Sequence, residues 1–442
     1  MAARFFDSGS ITLKAVLIGF IVLLLLIPLT MLRGLISERS ALREQAYARV
    51  AEGWGGNSVV GGPMLVIPTE RFVIDNNVRK LVRSDLYLLP SSLDISVDMR
   101  LEAEPRYVGI YAVPVYQSSV KFAGGFELQP LAPFLDKEGV TYLWDQARVR
   151  LPLSQSRSLR EVRAARFATT DLAFEPASPG AMRGVEAPID ASDFRDAKSA
   201  QFAFDIVVAG SREFSLLPVG STTSVQMRSD WPHPSFRGSF LPVERSITKD
   251  GFDARWQVLE LNRSYRSAWL DGEVSEETLM DSSVGVGLYQ AIDVYQRGER
   301  AIKYALLFIA LTFLTFFAWE QLSRLRLHPL QYLLVGLALS MFYVLLIALS
   351  EHIRFHFAYL VAALALVLLM GAYISGALDS VRRGLAVATA MSVVYGLLYA
   401  LILSEDYALL MGAITLFAAL AAVMLATRKV DWYKLGSTAG ST

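Results

Sequence analysis

Two short strings hold the residue types best suited to chemistry. The first is Ser229-Asp230-Trp231-Pro232-His233-Pro234-Ser235-Phe236, in which two prolines flank His233 and restrict its backbone. Asp230, Trp231, His233 and Phe236 form a candidate external contact site, because an imidazole set among large aromatic faces could grip a ligand, a glycan strand or a protein. The same residues equally suit a rigid buried corner, with Trp231 and Phe236 in the core and His233 bound to a backbone carbonyl. The second string places Glu351, His352 and His356 between two apolar runs, a candidate membrane-interface site. On a helix, His352 and His356 would share a face at i,i+4 and could hold zinc. Their order is His-Ile-Arg-Phe-His, so the glutamate that serves zinc proteases as a base is missing from between them, and Arg354 would oppose a cation. Helix capping and interface anchoring, or an interfacial ion or partner site, are the roles that remain for this group.

Little else in the chain suggests catalysis. There is no GxxxxGK[ST] phosphate loop and no G-x-S-x-G elbow, and Gly285-Val286-Gly287 lacks the third glycine of a dinucleotide fingerprint. Asn262-Arg263-Ser264 matches a glycosylation sequon in letters alone. With no Cys in 442 residues there can be no disulfide, thiolate metal site or cysteine nucleophile, and four His are too few for a haem or multi-metal protein. No catalytic, metal or cofactor-binding residues are therefore expected, and no cofactor. Lys and Arg balance Asp and Glu at 42 each, which gives no surplus of positive charge for nucleic acid.

The elements that must position these strings are mostly membrane-spanning. Residues 301–319, 329–349, 355–374, 385–403 and 407–427 are apolar runs of roughly 20 residues, the length that crosses a hydrocarbon core about 30 Å thick. A sixth run, 11–32, is interrupted only by Lys14 and is too long for a cleavable leader, so it reads as an uncleaved signal anchor in which Pro28 bends the helix or marks its last turn. Residues 33–56 mix charges of both signs without proline and read as a juxtamembrane stalk, ended by Gly53, Gly55 and Gly56. Arg33, Arg39 and Arg43 in it would suit either a plain stalk or contact with lipid head groups.

Residues 57–298 behave differently, with period-two alternation that predicts a mainly β domain. Phe252–Val258 is the plainest case, setting Phe252, Ala254, Trp256 and Val258 on one face and Asp253, Arg255 and Gln257 on the other. Further strands are expected at 65–68, 81–89, 93–101, 107–116, 202–208 and 224–228, with a helical patch after Ala132. Gly61 to Leu65 and the Ala/Pro/Ser/Gly-rich stretch 171–193 read as loops, and the latter could divide subdomains 57–170 and 196–290. Gly124-Gly125-Phe126-Glu127-Leu128 and Gly238-Ser239-Phe240-Leu241-Pro242 hint at a duplication.

Charge orients the spans. Arg4, Lys14, Arg324, Arg326, Arg382, Arg383, Arg428, Lys429 and Lys434 flank one set of span ends, while the other short connectors carry only Arg354. The positive-inside rule then puts both termini, 1–10 and 428–442, in the cytoplasm and residues 33–300 outside, in the periplasm of a Gram-negative cell. The expected fold is a polytopic α-helical membrane protein of six spans, with a large, mainly β extracytoplasmic domain between spans one and two. Lys303, Glu320, Glu351 and Asp406 fall near span ends, so the interiors lack the ionisable groups of a proton-coupled transporter. Gly371 with Ser375, Gly336 with Ser340 and Gly396 with Ala400 are small pairs suited to helix packing or to self-association as a homo-oligomer, and Gln331, Tyr332, Tyr343 and Tyr395 suit polar contacts inside the bundle.

The sequence also resembles the CreD family of bacterial inner-membrane proteins. The resemblance is carried by Ile27-Pro28, Val60-Gly61-Gly62-Pro63, the Ser229 to Phe236 string, Ala301 to Ile309, His328-Pro329-Leu330-Gln331-Tyr332-Leu333-Leu334-Val335-Gly336 and Leu349-Ser350-Glu351-His352-Ile353. It implies a signal anchor, a large external domain, a C-terminal bundle and an association with a two-component regulon and with envelope or β-lactam stress. It supplies no catalytic residues. The expected function is thus a non-enzymatic one in envelope integrity or stress response, embedded in the lipid bilayer, with the outer domain contacting an envelope protein, lipid or cell-wall component. A transporter of a lipid or uncharged small molecule is the alternative, and a cell-wall or lipid-modifying enzyme built on Asp230, His233 and a further carboxylate is another.

Overall fold

The computed structural model describes residues 11–75, 78–135, 137–178, 183–288, 294–323, 328–377, 379–404 and 408–427. The expected cytoplasmic ends 1–10 and 428–442 and the connector residues Arg324, Arg326, Glu405 and Asp406 lie outside the described residues, as do the side chains of Lys14 and Glu320. The chain divides into two compact units: Met1–Leu42 with Ile292–Thr442, and Arg43–Ala291.

The first unit is helical. Helices Ile11–Leu24 and Leu26–Trp54 are separated by one turn residue, Leu25. Pro28 explains the break, because its ring crowds the carbonyl of Leu24 and it has no N–H to give that carbonyl. The helix resumes and runs without interruption through the charged stalk to Trp54, where Gly55 turns the chain at a φ of 111°. Helices also form over Val294–Ser323, Pro329–Ser350, Phe355–Ala377, Val381–Leu403 and Ala408–Thr427. Among the described residues, four helical stretches, Val16–Trp54, Pro329–Ser350, Phe355–Ala377 and Val381–Leu403, are long and apolar enough to cross a membrane.

Small residues set how closely these helices approach. A Cβ added at Gly336 would lie 2.3 Å from Leu25 Cδ1 and 2.8 Å from Phe313 Cζ, and one at Gly384 would overlap Ser375 Oγ and the carbonyl of Gly371. Gly371, Ser375 and Gly336 are thus used for packing within the chain, whereas a Cβ at Gly396 would meet nothing. Phe342 sets its ring edge-on to Tyr343, Tyr359 and Tyr395, at centroid distances of 5.0, 5.4 and 4.6 Å. The hydroxyls of Thr312, Ser340 and Ser350 donate to carbonyls one turn back, which satisfies them without a second helix.

The second unit is built on β-sheets. One sheet has eight strands in the order Thr170–Asp171, Leu159–Phe167, Ser199–Gly210, Tyr116–Glu127, Ser92–Leu101, Thr222–Ser229, Gly251–Leu259 and Glu244–Thr248. All its pairs are antiparallel except Ser92–Leu101 with Thr222–Ser229. A second sheet runs Glu175–Pro176, Gly184–Ile189, Ala147–Pro152, Met64–Asp75, Val78–Leu88 and Ala268–Leu270, with Val140–Tyr142 also on Met64–Asp75. A third has Ser58–Gly61, Glu213–Leu217, Val284–Leu288 and Pro234–Gly238. Period-two patterning produces one-sided burial: Ser92–Leu101 alternates exposed and buried, and Phe252, Ala254, Trp256 and Val258 all point inward. Trp256 is wholly buried and donates its indole N–H to the carbonyl of Phe240 at 3.1 Å.

Four sequence expectations need correction here. The halves 57–170 and 196–290 are not consecutive subdomains, since every large sheet interleaves strands from both and Arg43–Ala291 is one compact unit. The stretch 171–193 is not simply a loop: Gly184–Ile189 pairs along its length with Ala147–Pro152. The segment 107–116 is not one strand but a small hairpin, Arg106–Val108 with Tyr111–Val113, turned at Gly109 with a φ of 60°. The two glycine strings are not a repeat, for Gly124 and Gly125 lie inside a strand of the eight-stranded sheet whereas Gly238 ends a strand of the four-stranded one.

Candidate functional site

The Ser229 to Phe236 string leaves the eight-stranded sheet and enters the four-stranded one. Strand Thr222–Ser229 ends at Ser229, whose hydroxyl accepts the N–H of Trp231 at 3.2 Å. Asp230 turns its carboxylate back to the sheet, accepting the N–H of Leu101 at 3.1 Å. The Trp231 indole donates to the carbonyl of His233 at 2.8 Å, and the two rings meet edge to face at 6.3 Å. Strand Pro234–Gly238 then begins, with Phe236 edge-on to Phe252 and Trp256 at 5.6 and 5.7 Å. Trp231 and Phe236 are half-buried against the core, while Asp230 and His233 are exposed. The string is a braced corner that presents one imidazole to solvent. An open polar depression of about 270 Å³ beside it is walled by Asp230, Asp250, Asp253, Arg100 and Arg228, and His233 is not part of that wall. Among the described residues no hydrogen bond joins Asp230 to His233.

The second string is divided by a turn. Helix Pro329–Ser350 ends with Glu351 as its C-cap, and residues 351–353 turn before the next helix starts at Phe355. His352 and His356 therefore do not share a helical face, and the zinc geometry considered from their spacing is not formed; among the described residues no group of three or more metal-binding side chains occurs. His356 Nδ1 lies 2.6 Å from the Tyr399 hydroxyl, and His352 is exposed. Glu351 is the more engaged residue. Its carboxylate accepts the Tyr295 hydroxyl at 3.4 Å and lies 3.6 Å from Arg39 Nε. Arg39 is on the stalk helix and Tyr295 at the start of helix Val294–Ser323, so Glu351 ties together both segments through which the chain leaves and re-enters the helical unit. Gln331 caps the start of its own helix by accepting the N–H of His328, and Tyr332 packs edge-on to Phe313.

Sequence reasoning missed the other end of the stalk. Within the second unit, Arg157 and Arg160 donate to the carbonyls of Glu52 and Trp54 at 3.2 and 2.8 Å, and the guanidiniums of Arg106 and Arg160 lie over the Trp54 ring at 4.4 and 4.6 Å. Cations at a helix C-terminus meet the negative end of its dipole and its unpaired carbonyls. Arg212 pairs with Glu44 and covers the Tyr47 ring at 4.5 Å. Only the Trp next to the glycine stop at 53–56 could have signalled a docked helix end.

A buried ion network was missed as well. Arg150, with no exposed surface, places Nη2 and Nε 2.6 and 3.2 Å from Glu186 Oε2 and donates from Nη1 to the Tyr87 hydroxyl at 3.1 Å. Glu186 Oε1 accepts the N–H and hydroxyl of Ser178, and Arg148 spans from Glu186 to both oxygens of Asp85. Burial pushes the Glu186 carboxyl up, but its hydrogen bonds to Ser178 and Arg150 and the charges of Arg150 and Arg148 outweigh that and hold it below the ordinary range.

A bundle of apolar helices interrupted after its first long helix by a large multi-sheet domain defines a polytopic membrane protein with an inserted β domain. The model of a family described as inner membrane protein CreD matches residues 10–433, and inner membrane protein CreD of Escherichia coli (strain K12) is 33% identical over 426 residues, covering 93% of this chain and 91% of that one. The chain belongs to the CreD family, and is a multi-pass inner-membrane protein.

Proposed function

We propose that this protein supports the integrity of the cell envelope under stress, without catalysis, by coupling an envelope-contacting β domain to a six-span anchor. In this reading helices Val294–Ser323 and Ala408–Thr427 join the four strongly apolar stretches as spans, both termini are cytoplasmic and residues 33–300 face the periplasm. The basic connectors support that orientation, and the family resemblance supports the role in envelope stress. The observation that carries the coupling is the stalk helix Leu26–Trp54. Arg39 holds it to Glu351 in the helical unit, and Arg157, Arg160 and Arg212 hold its other end in the β unit. A helix fixed at both ends is the element through which occupancy of the outer domain reaches the bundle.

The exposed face at His233 is the contact site of this proposal. A photocrosslinking residue placed at His233 in living cells is expected to capture an envelope protein, lipid or wall fragment that is not captured from Leu261, which is 92% exposed elsewhere on the domain. Equal capture from both positions would sink the contact assignment. The natural absence of Cys makes the topology directly testable. A membrane-impermeant maleimide should label Leu261→Cys in intact spheroplasts and Arg383→Cys only after lysis, and the reverse pattern would invert the orientation.

A further inference from the structure

The hairpin of strands Met64–Asp75 and Val78–Leu88 is longer than the sheet that holds it. On one side, Ala147–Pro152 pairs with residues 64–66 and Val140–Tyr142 with residues 69–71. On the other, Ala268–Leu270 pairs only with residues 86–88. Among the described residues, the two strands pair only with each other from Phe72 outward, with Phe72 opposite Leu81, Val73 opposite Lys80 and Ile74 opposite Arg79. The distal half is a free two-stranded ribbon.

Its composition is wrong for a ribbon that stays in water. Phe72, Ile74 and Leu81 share one face and are 57%, 76% and 43% exposed, and Val73 on the opposite face is 37% exposed. Two-stranded ribbons are marginal in water without something on an apolar face. Cations accompany these side chains: Arg71, Arg79, Lys80 and Arg83 are exposed, with the Arg79 guanidinium 3.9 Å from the centre of the Phe72 ring. Among the described residues, Arg83 alone of these cations forms an ion pair, to Glu70 at 2.7 Å.

We propose that the apolar side chains Phe72, Val73, Ile74 and Leu81 of this ribbon lie in the interface of an anionic phospholipid bilayer. Three features select a bilayer over a protein partner. Apolar side chains lie on both faces of the ribbon, and a protein groove would cover one face whereas a lipid interface reaches both. The cations Arg79 and Lys80 lie opposite Ile74 and Val73, within reach of lipid phosphates when the apolar side chains of the ribbon lie at the acyl boundary. Both ends of the β unit continue into helices of an inner-membrane protein, so the bilayer is present at high effective concentration and a weak intrinsic affinity suffices. The ribbon is a different surface from the His233 corner, and its docking is independent of the side of the membrane on which the domain lies.

The test uses the full chain in vesicles, with an environment-sensitive fluorophore on a single cysteine at Ile74→Cys or, as a second position, Leu81→Cys, and at Leu261→Cys as an aqueous reference. In vesicles containing phosphatidylglycerol, emission from positions 74 and 81 should shift to the blue, resist iodide and be quenched by lipids brominated near the head group, while position 261 stays accessible to iodide. Adding Arg79→Gln and Lys80→Gln should lower the ratio of inserted to free ribbon about 25-fold, at about fivefold for each cation near an anionic surface. Pure phosphatidylcholine should reduce insertion in the same sense. The proposal is overturned if positions 74 and 81 are as open to iodide as position 261, or if they are shielded without lipid quenching, which would assign the ribbon to a protein contact or a second copy of the chain.

Discussion

Replacing Glu186 by alanine tests whether the buried ion network holds the seven-stranded sheet together. The substitution leaves Arg150, which has no exposed surface, with the Tyr87 hydroxyl at 3.1 Å as its remaining side-chain hydrogen-bond partner among the described residues. It also removes the carboxylate that Arg148 reaches at 3.6 Å, although Arg148 keeps Asp85 at 3.1 Å. Stranding one member of a buried pair costs about 3–5 kcal/mol. In a unit of this size that corresponds to a fall in melting temperature of roughly 6–20 °C. Thermal unfolding of the full chain in detergent, followed by tryptophan emission, is the assay, and Trp269 reports locally because it stacks on Tyr87 at 5.6 Å and 12°. The pair Arg150→Met with Glu186→Leu should recover most of the loss, since well-packed apolar replacements of a buried ion pair are near neutral. The pH dependence has a definite sign. The folded-state pKa of Glu186 is lowered, so its contribution is complete above the ordinary carboxylate range and is lost as pH falls through the depressed value. The stability gap between the parent and Glu186→Gln should therefore be constant above about pH 5 and close in stronger acid. Melting of Glu186→Ala within about a degree of the parent would refute the reasoning.

Other substitutions probe the remaining joints. Gly336→Val drives a side chain into Leu25 and Phe313, and overpacking of this kind should cost about 1–3 kcal/mol, measurable as a lower melting temperature in detergent. Trp256→Ala empties a fully buried position and forfeits the indole bond to Phe240, so a loss of about 3–5 kcal/mol is expected by denaturant titration. In a double-mutant cycle of Arg39→Gln and Glu351→Gln, the partly exposed pair should show a coupling of about 0.2–1 kcal/mol, and strict additivity would mean that Glu351 does not hold the stalk helix.

Much of this architecture was legible from periodicity. The strand at 252–258 and the helices at the apolar runs follow directly from one-sided or all-round burial, which sequence patterns record. What escaped is what charge conceals. Arg148, Arg150 and Glu186 look like the solvated side of a strand and a polar loop, yet Arg150 and Glu186 are buried and Arg148 is half-buried beside them, because the arginines and the carboxylate neutralise one another and that pairing depends on a strand register invisible in the sequence. The Trp231 string was legible as a rigid aromatic turn but not in its connections, since Leu101, Phe252 and Val286 reach it from distant parts of the chain. The pair His352 and His356 shows the converse failure. A spacing of four has meaning only where a helix continues, and the turn at 351–353 removes it.

The order of strands in the four-stranded sheet sets a timetable for biosynthesis. Its last strand in sequence, Val284–Leu288, occupies an interior position between Glu213–Leu217 and Pro234–Gly238, not an edge. The sheet cannot close until the ribosome has delivered residue 288, and helix Val294–Ser323 follows within a few residues. With no disulfide to trap a partial product, every nascent chain shorter than this carries an open seam through the domain. Closure of the seam and emergence of the helical bundle are consequently consecutive events, and a chain stalled before Val284 would present quality-control machinery with a membrane-tethered, unfinished sheet.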